Sequence, residues 1–377
     1  MDAGAPPHTL RPAGWINRLA ASPRFQAFCA RVPGLSTIAR REGAALFDLM
    51  QGFVQSQCLS ALVELRVLHL LADGPSDAAS VAALTQVPPE RMQVLLQAGA
   101  AMKLLRRRGD RFALSRRGAA FIAVPGLEDM VRHHRVLYAD LADPVAFVRG
   151  NSDPDLARFW PYVFGATGPM DADVTARYSR LMADSQRLVA EEALAHVSLS
   201  RARRLMDVGG GTGAFLRAVR ARYPKLELVL FDLPDVVAQA ALPDGITRHG
   251  GSFRTDSLPG GADVISLVRV LYDHADDTVL ALLRRVHAAL PPGGRVLIVE
   301  PMSGGTKPDP QTDVYFAVYT MAMQTGRTRS PAEIAVLLRK AGFEGVSRPM
   351  GKRAYLARAL TAQRPAQEKG AGSVNVG

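Results

Sequence analysis

The sequence predicts a doubly wound α/β protein, with a Rossmann-like nucleotide-binding domain preceded by an all-helical module that ends as a winged helix. Two observations predict the larger domain. Leu205–Val208 is a short apolar run that stops at Gly209-Gly210-Gly211-Thr212-Gly213, after which Phe215, Leu216 and Val219 fall at helical spacing. A second apolar run, Leu226–Phe231, ends in Asp232, 23 residues after Gly209. Strands alternating with helices in this way build a mostly parallel sheet. The third observation lies earlier, where two helical patterns precede a short hairpin around Arg108-Gly109-Asp110.

At 377 residues and 48% hydrophobic content, the chain is long enough for two domains and a sizeable core. Cys29 and Cys58 give neither a disulfide framework nor metal-ligand spacing, so no metal is expected. No apolar run reaches the roughly 18 residues of a membrane span, and no signal peptide is evident. The expected location is the cytoplasm, or a membrane surface reached from it. The net charge of +11 is unevenly spread. Residues 1–42 stand apart as a basic extension, with Arg11, Arg18, Arg24, Arg31, Arg40 and Arg41 against the one acid Asp2 over residues 1–41. Trp15, Ile16, Leu19, Phe25 and Phe28 sit between them. Basic residues interleaved with large apolar ones suit peripheral contact with an anionic membrane surface. A poorly ordered, solvated extension is the plainer alternative. Pro12, Pro23 and Pro33 rule out one long helix, leaving two short ones at most.

Residues 43–125 are the helical module. From Ala44 to Ala72, Leu46, Phe47, Met50, Phe53, Val54, Leu62, Leu65 and Leu68 keep helical spacing until Asp73-Gly74-Pro75 stops it. Ser76 or Asp77 caps a short helix to Leu84, and Pro88-Pro89 opens another that runs to about Lys103. Leu104–Leu114 reads as the hairpin. The wing's Arg106, Arg107, Arg108, Arg111, Arg116 and Arg117 raise DNA regulation as a rival function. Arginines in a turn most often mark a solvated loop, and no nucleic-acid partner is expected.

Residues 126–200 read as helical connectors that contribute a substrate pocket. Phe159-Trp160-Pro161-Tyr162-Val163-Phe164 is too aromatic for an exposed loop, and serves either as core or as the lining of an apolar pocket. Trp160, Tyr162, Met182 and, farther on, Met321 are the candidate lining residues.

The nucleotide-binding domain is placed at 201–360. After Asp232 a helix leads to a weak third strand near Gly245–His249, followed by Gly250-Gly251-Ser252-Phe253. Asp263–Val270 is the fourth strand. Asp276–Leu290 is a helix ended by Pro291-Pro292-Gly293-Gly294, and Arg295–Glu300 is the fifth strand. Thr312–Thr325 is helical, Pro331 starts the next helix and Gly342 ends it. Gly345–Pro349 and Ala354–Ala359 close the sheet as a hairpin around Gly351-Lys352. The tail, 361–377, has low hydrophobicity and is expected to be disordered. Ligands bind beyond the carboxyl ends of such strands, where Asp232, Phe253, Arg269 and Tyr272 all fall.

The glycine turn lets a ligand lie against the backbone, facing the free N–H groups of the helix that follows. An acid at the tip of the second strand is placed to accept hydrogen bonds from ribose hydroxyls. Gly209-x-Gly211-x-x-Ala214 passes as a relaxed dinucleotide fingerprint. Asp207 inside the strand, and a turn past the middle of the chain, argue against a nicotinamide cofactor. Asp207-Val-Gly-Gly-Gly-Thr-Gly followed by Phe-Asp232-Leu-Pro-Asp-Val resembles the signature of S-adenosylmethionine-dependent O-methyltransferases, specifically the two-domain family of the plant caffeate and animal hydroxyindole enzymes. The resemblance implies S-adenosyl-L-methionine as cofactor, and a winged-helix module that makes a homodimer rather than reading DNA. It also implies cofactor contacts from Asp207, Gly209, Gly211, Asp232, Gly251, Phe253 and Arg269. Ser252 stands where the family usually has an aspartate near the adenine; its hydroxyl still hydrogen-bonds, more weakly than a carboxylate.

Methyl transfer from a sulfonium is a direct displacement that needs in-line alignment first. An alcohol nucleophile also benefits from a base. In the family that base is a histidine in a His-Asp-Trp segment flanked by two glutamates. Here the segment reads Val270-Leu271-Tyr272-Asp273-His274, so Tyr272 stands in the histidine's place. Glu300 matches the first glutamate, and Thr328 replaces the second. The candidate catalytic residues are therefore Tyr272, His274 and Glu300. Tyr272, with a reference pKa of about 10, is expected to orient a hydroxyl rather than abstract from it. His274 takes over only if the loop is shifted; the plainer expectation is a surface histidine at a strand–helix turn. The missing triad points away from phenols and towards an apolar alcohol. With the basic aromatic N-terminus, the Ala-Leu-Phe-Asp-Leu-Met-x-Gly-Phe-Val helix and Arg269-Val-Leu-Tyr-Asp-His, residues 15–360 are similar to family members that methylate the tertiary 1-hydroxyl of acyclic carotenoids in purple photosynthetic bacteria. The implied substrate is a hydroxylated carotenoid; a soluble phenolic or polyketide is the alternative.

Overall fold

The computed structural model describes residues 14–159, 186–240, 242–349 and 357–366. The chain divides into two compact units, Met1–Ile122 and Ala123–Gly377.

The first unit is built on helices. Trp15–Ala20 (α1) and Pro23–Arg31 (α2) are the two short helices that the prolines allow, so the basic stretch is helical from Trp15 rather than poorly ordered. Their large apolar side chains face solvent, with Trp15 66% exposed. Leu35–Glu64 (α3) starts earlier than the expected Ala44, because nothing after Pro33-Gly34 breaks a helix. It also ends short of Ala72: Arg66 turns into the left-handed region at φ 54°, and one further turn, Val67–Leu70 (α4), follows. Asp77 is the cap before Ala78–Thr85 (α5), its Oδ1 accepting from Ser80 N at 2.9 Å. Pro89–Ala101 (α6) opens on proline, whose missing N–H is no loss in a first turn. Leu105–Arg108 (β2) and Arg111–Leu114 (β3) form the hairpin, and Ser76–Asp77 (β1) pairs with the other edge of β3. Leu62, Leu68, Met92, Leu96 and Phe112 make the core. Arg107 lies over the Phe112 ring at 5.6 Å and donates to Gln97 Oε1, so this wing arginine serves the fold.

Arg116–Ala123 (α7) closes the first unit, and the second opens with Leu127–Asp140 (α8) and Pro144–Val148 (α9). Its seven strands are Arg204–Val208 (β4), Glu227–Asp232 (β5), Ile246–Gly250 (β6), Val264–Val268 (β7), Arg295–Glu300 (β8), Glu344–Ser347 (β9) and Arg358–Gln363 (β10). They lie in the order β6-β5-β4-β7-β8-β10-β9. β4 to β8 are parallel, while β10 runs antiparallel to β8 and β9 antiparallel to β10. The order reverses between β4 and β7, the point at which sheets of this kind place their ligand crevice, at the carboxyl ends of the strands. β10 outruns the expected domain end at residue 360. Leu360 and Ala362 alternate into the core, and Arg364 N bonds Gly294 O, so the strand holds through the first residues assigned to a disordered tail. The single helix expected over 312–325 is a π-helical stretch, Pro310–Phe316, continued by the α-helix Ala317–Met323. Trp160, Tyr162 and Met182 lie outside the described residues.

Candidate active site

β4 runs into a turn that glycine alone makes without strain. Gly209, Gly211 and Gly213 have φ of 70°, 56° and 78°. A Cβ on Gly209 would lie 2.9 Å from Val270 Cγ2, and one on Gly213 2.0 Å from Leu242 Cδ2. At Gly211 it would meet nothing within 4 Å, so the room against the backbone is here, at the start of the helix Ala214–Arg222. Asp232 stands across from it. Its Oδ2 accepts from Gly211 N and its Oδ1 from Leu233 N, both at 2.7 Å. Each oxygen keeps capacity for a further donor, as two ribose hydroxyls require. Burial raises the Asp232 pKa, and the two N–H bonds oppose it.

Asp207 lies behind the turn. Its Oδ1 accepts from Ser266 Oγ at 2.6 Å, while Oδ2 is buried with no partner among the described residues. Burial pushes its pKa up to about 7, and the Asp232 charge adds to this. An unpartnered buried acceptor costs roughly 1–3 kcal/mol, and a cationic ligand rich in donors relieves that cost. Gly251 N donates to Asp232 O, tying the end of β6 to the tip of β5. Ser252 N donates to Asp256 Oδ2 at 2.8 Å, so a carboxylate does reach this segment, from four residues beyond the expected position. Phe253 meets His274 edge-on, with centroids 5.3 Å apart. An open glycine cradle, an acid with spare acceptor capacity and an orphaned buried carboxylate oxygen fit S-adenosylmethionine.

The other end of the crevice is the turn after β7. Arg269 is a left-handed non-glycine residue at φ 58°, a conformation that costs roughly 1–3 kcal/mol and persists only where its surroundings enforce it. Its N donates to Val299 O, and its guanidinium reaches the Tyr272 hydroxyl at 3.5 Å. Arg269, expected at the cofactor, thus also reaches Tyr272. Glu300 ends β8 fully buried, its Oε1 accepting from Val270 N at 2.9 Å and Leu271 N at 2.7 Å. Burial pushes its pKa up to about 7 against those bonds. Burial also raises the Tyr272 phenol and holds the Asp273 carboxyl well above the usual range, with Glu300 adding to the latter. At neutral pH Tyr272 is a neutral hydroxyl. Such a group is suited to orienting a substrate hydroxyl rather than to abstracting from it.

Arg329 clamps this turn. It donates to Leu271 O at 2.8 Å, His274 O at 2.7 Å and Asp276 Oδ1 at 2.7 Å. A Cβ on Gly326 would lie 1.9 Å from Tyr272 O, so the segment around Thr328 packs directly on the turn, as the resemblance implies. Two expectations need correction. His274 is 6% exposed rather than at the surface, because Arg329 draws its carbonyl inward and Arg254 approaches Nδ1 at 3.2 Å. Burial and then the charges of Arg254 and Arg329 lower its pKa to about 4, and the imidazole belongs with Phe253 rather than with Tyr272. Met321 is 49% exposed, since Tyr319, Ala322 and Met323 occupy the inward face of the same helix.

Sequence reasoning missed Asp256, Asp273, Arg329 and a pair of histidine–tyrosine contacts. Tyr319 Oη lies 2.8 Å from His133 Nε2, and Tyr315 Oη 2.8 Å from His134 Nε2. The partners are 186 and 181 residues apart in the chain. The adjacent histidines and the tyrosines four apart were visible, but no local pattern joins them.

The O-methyltransferase domain family model matches residues 138–344, and the O-methyltransferase dimerisation domain model matches 47–123. Demethylspheroidene O-methyltransferase of Cereibacter sphaeroides is 62% identical over 357 residues, which cover 92% of this chain and 94% of that protein. The Rhodobacter capsulatus enzyme of the same name is 54% identical over 362 residues, covering 96% and 92%. Human N-acetylserotonin methyltransferase, solved in complex with SAM, superposes with a TM-score of 0.71 at 26% identity, covering 86% of this chain and 98% of its own. This chain belongs to the S-adenosylmethionine-dependent O-methyltransferases that carry an N-terminal dimerisation domain, and it forms a homodimer.

Proposed function

We propose that the chain methylates the tertiary 1-hydroxyl of acyclic carotenoids in carotenoid biosynthesis. The observation that carries this reading is the likeness, over nearly the whole chain, to two demethylspheroidene O-methyltransferases. The cofactor, when bound, supplies an electrophilic methyl group. Asp207, Gly209, Gly211, Asp232, Gly251, Ser252 and Phe253 are the residues that would hold it. The remaining work is to present one oxygen in line and keep water out. A tertiary alcohol is far less acidic than a phenol, so early deprotonation by a side chain has little to offer. Accordingly, Tyr272 supplies a neutral hydroxyl, Arg269 aims it, and Glu300 fixes the turn through Val270 and Leu271. Purified protein with labelled S-adenosylmethionine, given hydroxylated acyclic carotenoids or catechol-type phenols, tests the proposal. Label should enter the carotenoid; label in the phenols alone overturns it.

The same reading extends to where the substrate is met. No helix among the described residues is long and apolar enough to cross a membrane. α1 and α2 expose Trp15, Ile16, Leu19 and Phe28 among Arg18, Arg24 and Arg31, which suits an interfacial position on anionic lipid at the cytoplasmic side. Pelleting with phosphatidylglycerol vesicles, but not with phosphatidylcholine ones, is expected; equal recovery in both supernatants removes the membrane role.

A further inference from the structure

We propose that Tyr319, held by His133, is a second hydroxyl-binding group of the reacting site and the first station on the path by which the substrate's proton leaves. The inference rests on the reading of the substrate as an alcohol.

The geometry comes from three elements. α8 contributes His133, and the helix Ala317–Met323 contributes Tyr319, 2.8 Å away at the hydrogen-bonding atoms. That helix packs against both α8 and the turn Leu271–Asp273. The Tyr319 side chain is buried, and it feels the charges of Asp273 and Arg269 and the Tyr272 phenol, so it looks onto the reacting turn. Asp273 Oδ1 is buried there with no partner among the described residues. Tyr315 and His134 repeat the pairing one turn away, with the two tyrosine rings 6.0 Å apart.

A plain packing role leaves one thing unexplained, namely why a phenol paired with a distant imidazole sits on the helix packed against the turn that carries Tyr272 and Asp273. The chemistry of the reaction accounts for it. With its proton on Nδ1, His133 accepts at Nε2, so the Tyr319 O–H points at the ring. The lone pairs of the Tyr319 oxygen are then left for the substrate's O–H. As the substrate oxygen bonds the methyl carbon, the carbon–sulfur bond breaks and its electron pair stays on sulfur. The substrate O–H bond breaks, its proton passes to the Tyr319 oxygen, and the Tyr319 proton passes to His133 Nε2. The positive charge of the sulfonium ends on the imidazole, and atoms and charge balance.

Burial and the neighbouring His134 lower the His133 pKa to about 4. An imidazole that weak takes no proton from an intact alcohol. It does take one from an oxygen that is gaining its second bond to carbon and so becoming an oxonium, and it then yields that proton readily to water. The pair is therefore suited to late proton loss.

The test uses the full-length dimer, a hydroxylated acyclic carotenoid in detergent and saturating S-adenosylmethionine. Tyr319→Phe should lower kcat by about 30-fold or more with KM and cofactor affinity within about threefold. Tyr315→Phe, which keeps the packing and removes the neighbouring pair, should cost less than about threefold. His133→Ala should lose a comparable factor, and added imidazole should restore at least about tenfold. Without turnover, wild-type protein should bind the hydroxylated carotenoid several-fold tighter than its dehydroxylated analogue, and Tyr319→Phe should erase that preference. A Tyr319→Phe kcat within threefold of wild type overturns the proposal, as does an equal loss in Tyr315→Phe. If Tyr319→Phe does not fold, imidazole rescue of His133→Ala decides, and its failure counts against the relay. Should wild-type protein not methylate the carotenoid alcohol at all, it is the substrate reading that fails instead.

Discussion

The two ends of the crevice are made of different material. At the cofactor end, most of the contacts belong to the main chain: left-handed glycines, the N–H of Gly211 and Leu233, and a single acid that ties them. At the reacting end, side chains do the work. Arg269, Tyr272, Glu300, Arg329, Tyr319 and His133 come from five separate stretches and meet in a buried cluster. A backbone-built site is constrained locally, because the turn needs glycine whatever lies beyond it. A side-chain-built site keeps its shape by long-range packing, so its residues change while the fold does not. If Tyr272 and Thr328 stand where the family's histidine and second glutamate would, as the resemblance implies, the glycine turn is under no constraint to change with them.

The sharpest way to break this division is Gly326→Ala. A methyl 1.9 Å from the Tyr272 carbonyl displaces backbone, and misplacement on the order of 1 Å costs about 100-fold in rate. Cofactor affinity should stay within about threefold by calorimetric titration; if it falls with the rate, the two ends are one mechanical unit. Asp232→Ala strikes the other end. It removes the acceptor of Gly211 N and of two ribose hydroxyls, and should weaken S-adenosylmethionine by roughly 1.5–3 kcal/mol. Unchanged affinity in a folded variant would take Asp232 out of the site.

A smaller effect separates the ends by pH. Burial pushes the Glu300 pKa up to about 7 in the native state, from an ordinary glutamate value of 4.5. The native state then binds the extra proton between those values, so the contribution of Glu300 to stability is present at low pH and lost as pH rises through about 7. Glu300→Gln lacks this loss. Its unfolding free energy, relative to wild type and without cofactor, should climb by on the order of 1–2 kcal/mol from pH 5 to pH 8. A flat difference in chemical denaturation would mean Glu300 is ionised throughout. Tyr272→Phe is the mildest case. It removes one orienting hydroxyl and should slow turnover about tenfold, against the 10²–10⁴ that loss of a true general base costs.

Legibility in the sequence follows the same division. The glycine run, Asp232 and the alternation from Arg204 to Glu300 each sit within a window of a few residues, and the parallel sheet was readable from them. Asp77 and Pro89 announced their helices for the same reason, since a cap acts on its own first turn. The burial of His274 was not readable, because it depends on Arg329, 55 residues away. Nor was the inward turn of Tyr319 in place of Met321, which is decided by what α8 presents to that helix. β10 ran past its expected end because Leu360 and Ala362 have β8 to pack on, opposite Ile298 and Val296 in register and more than 60 positions upstream.

One feature of α3 bears on how the molecule behaves in a cell. Leu46, Met50 and Phe53 recur at i, i+4 and i+7, and all three face water on a single chain. Folding that is completed by a second copy consumes two chains for each native particle, so abundance itself becomes a source of stability. Each tenfold rise in concentration adds about 1.4 kcal/mol of unfolding free energy per mole of dimer. Thinly expressed, the protein should melt earlier and be cleared sooner, with no change in sequence at all.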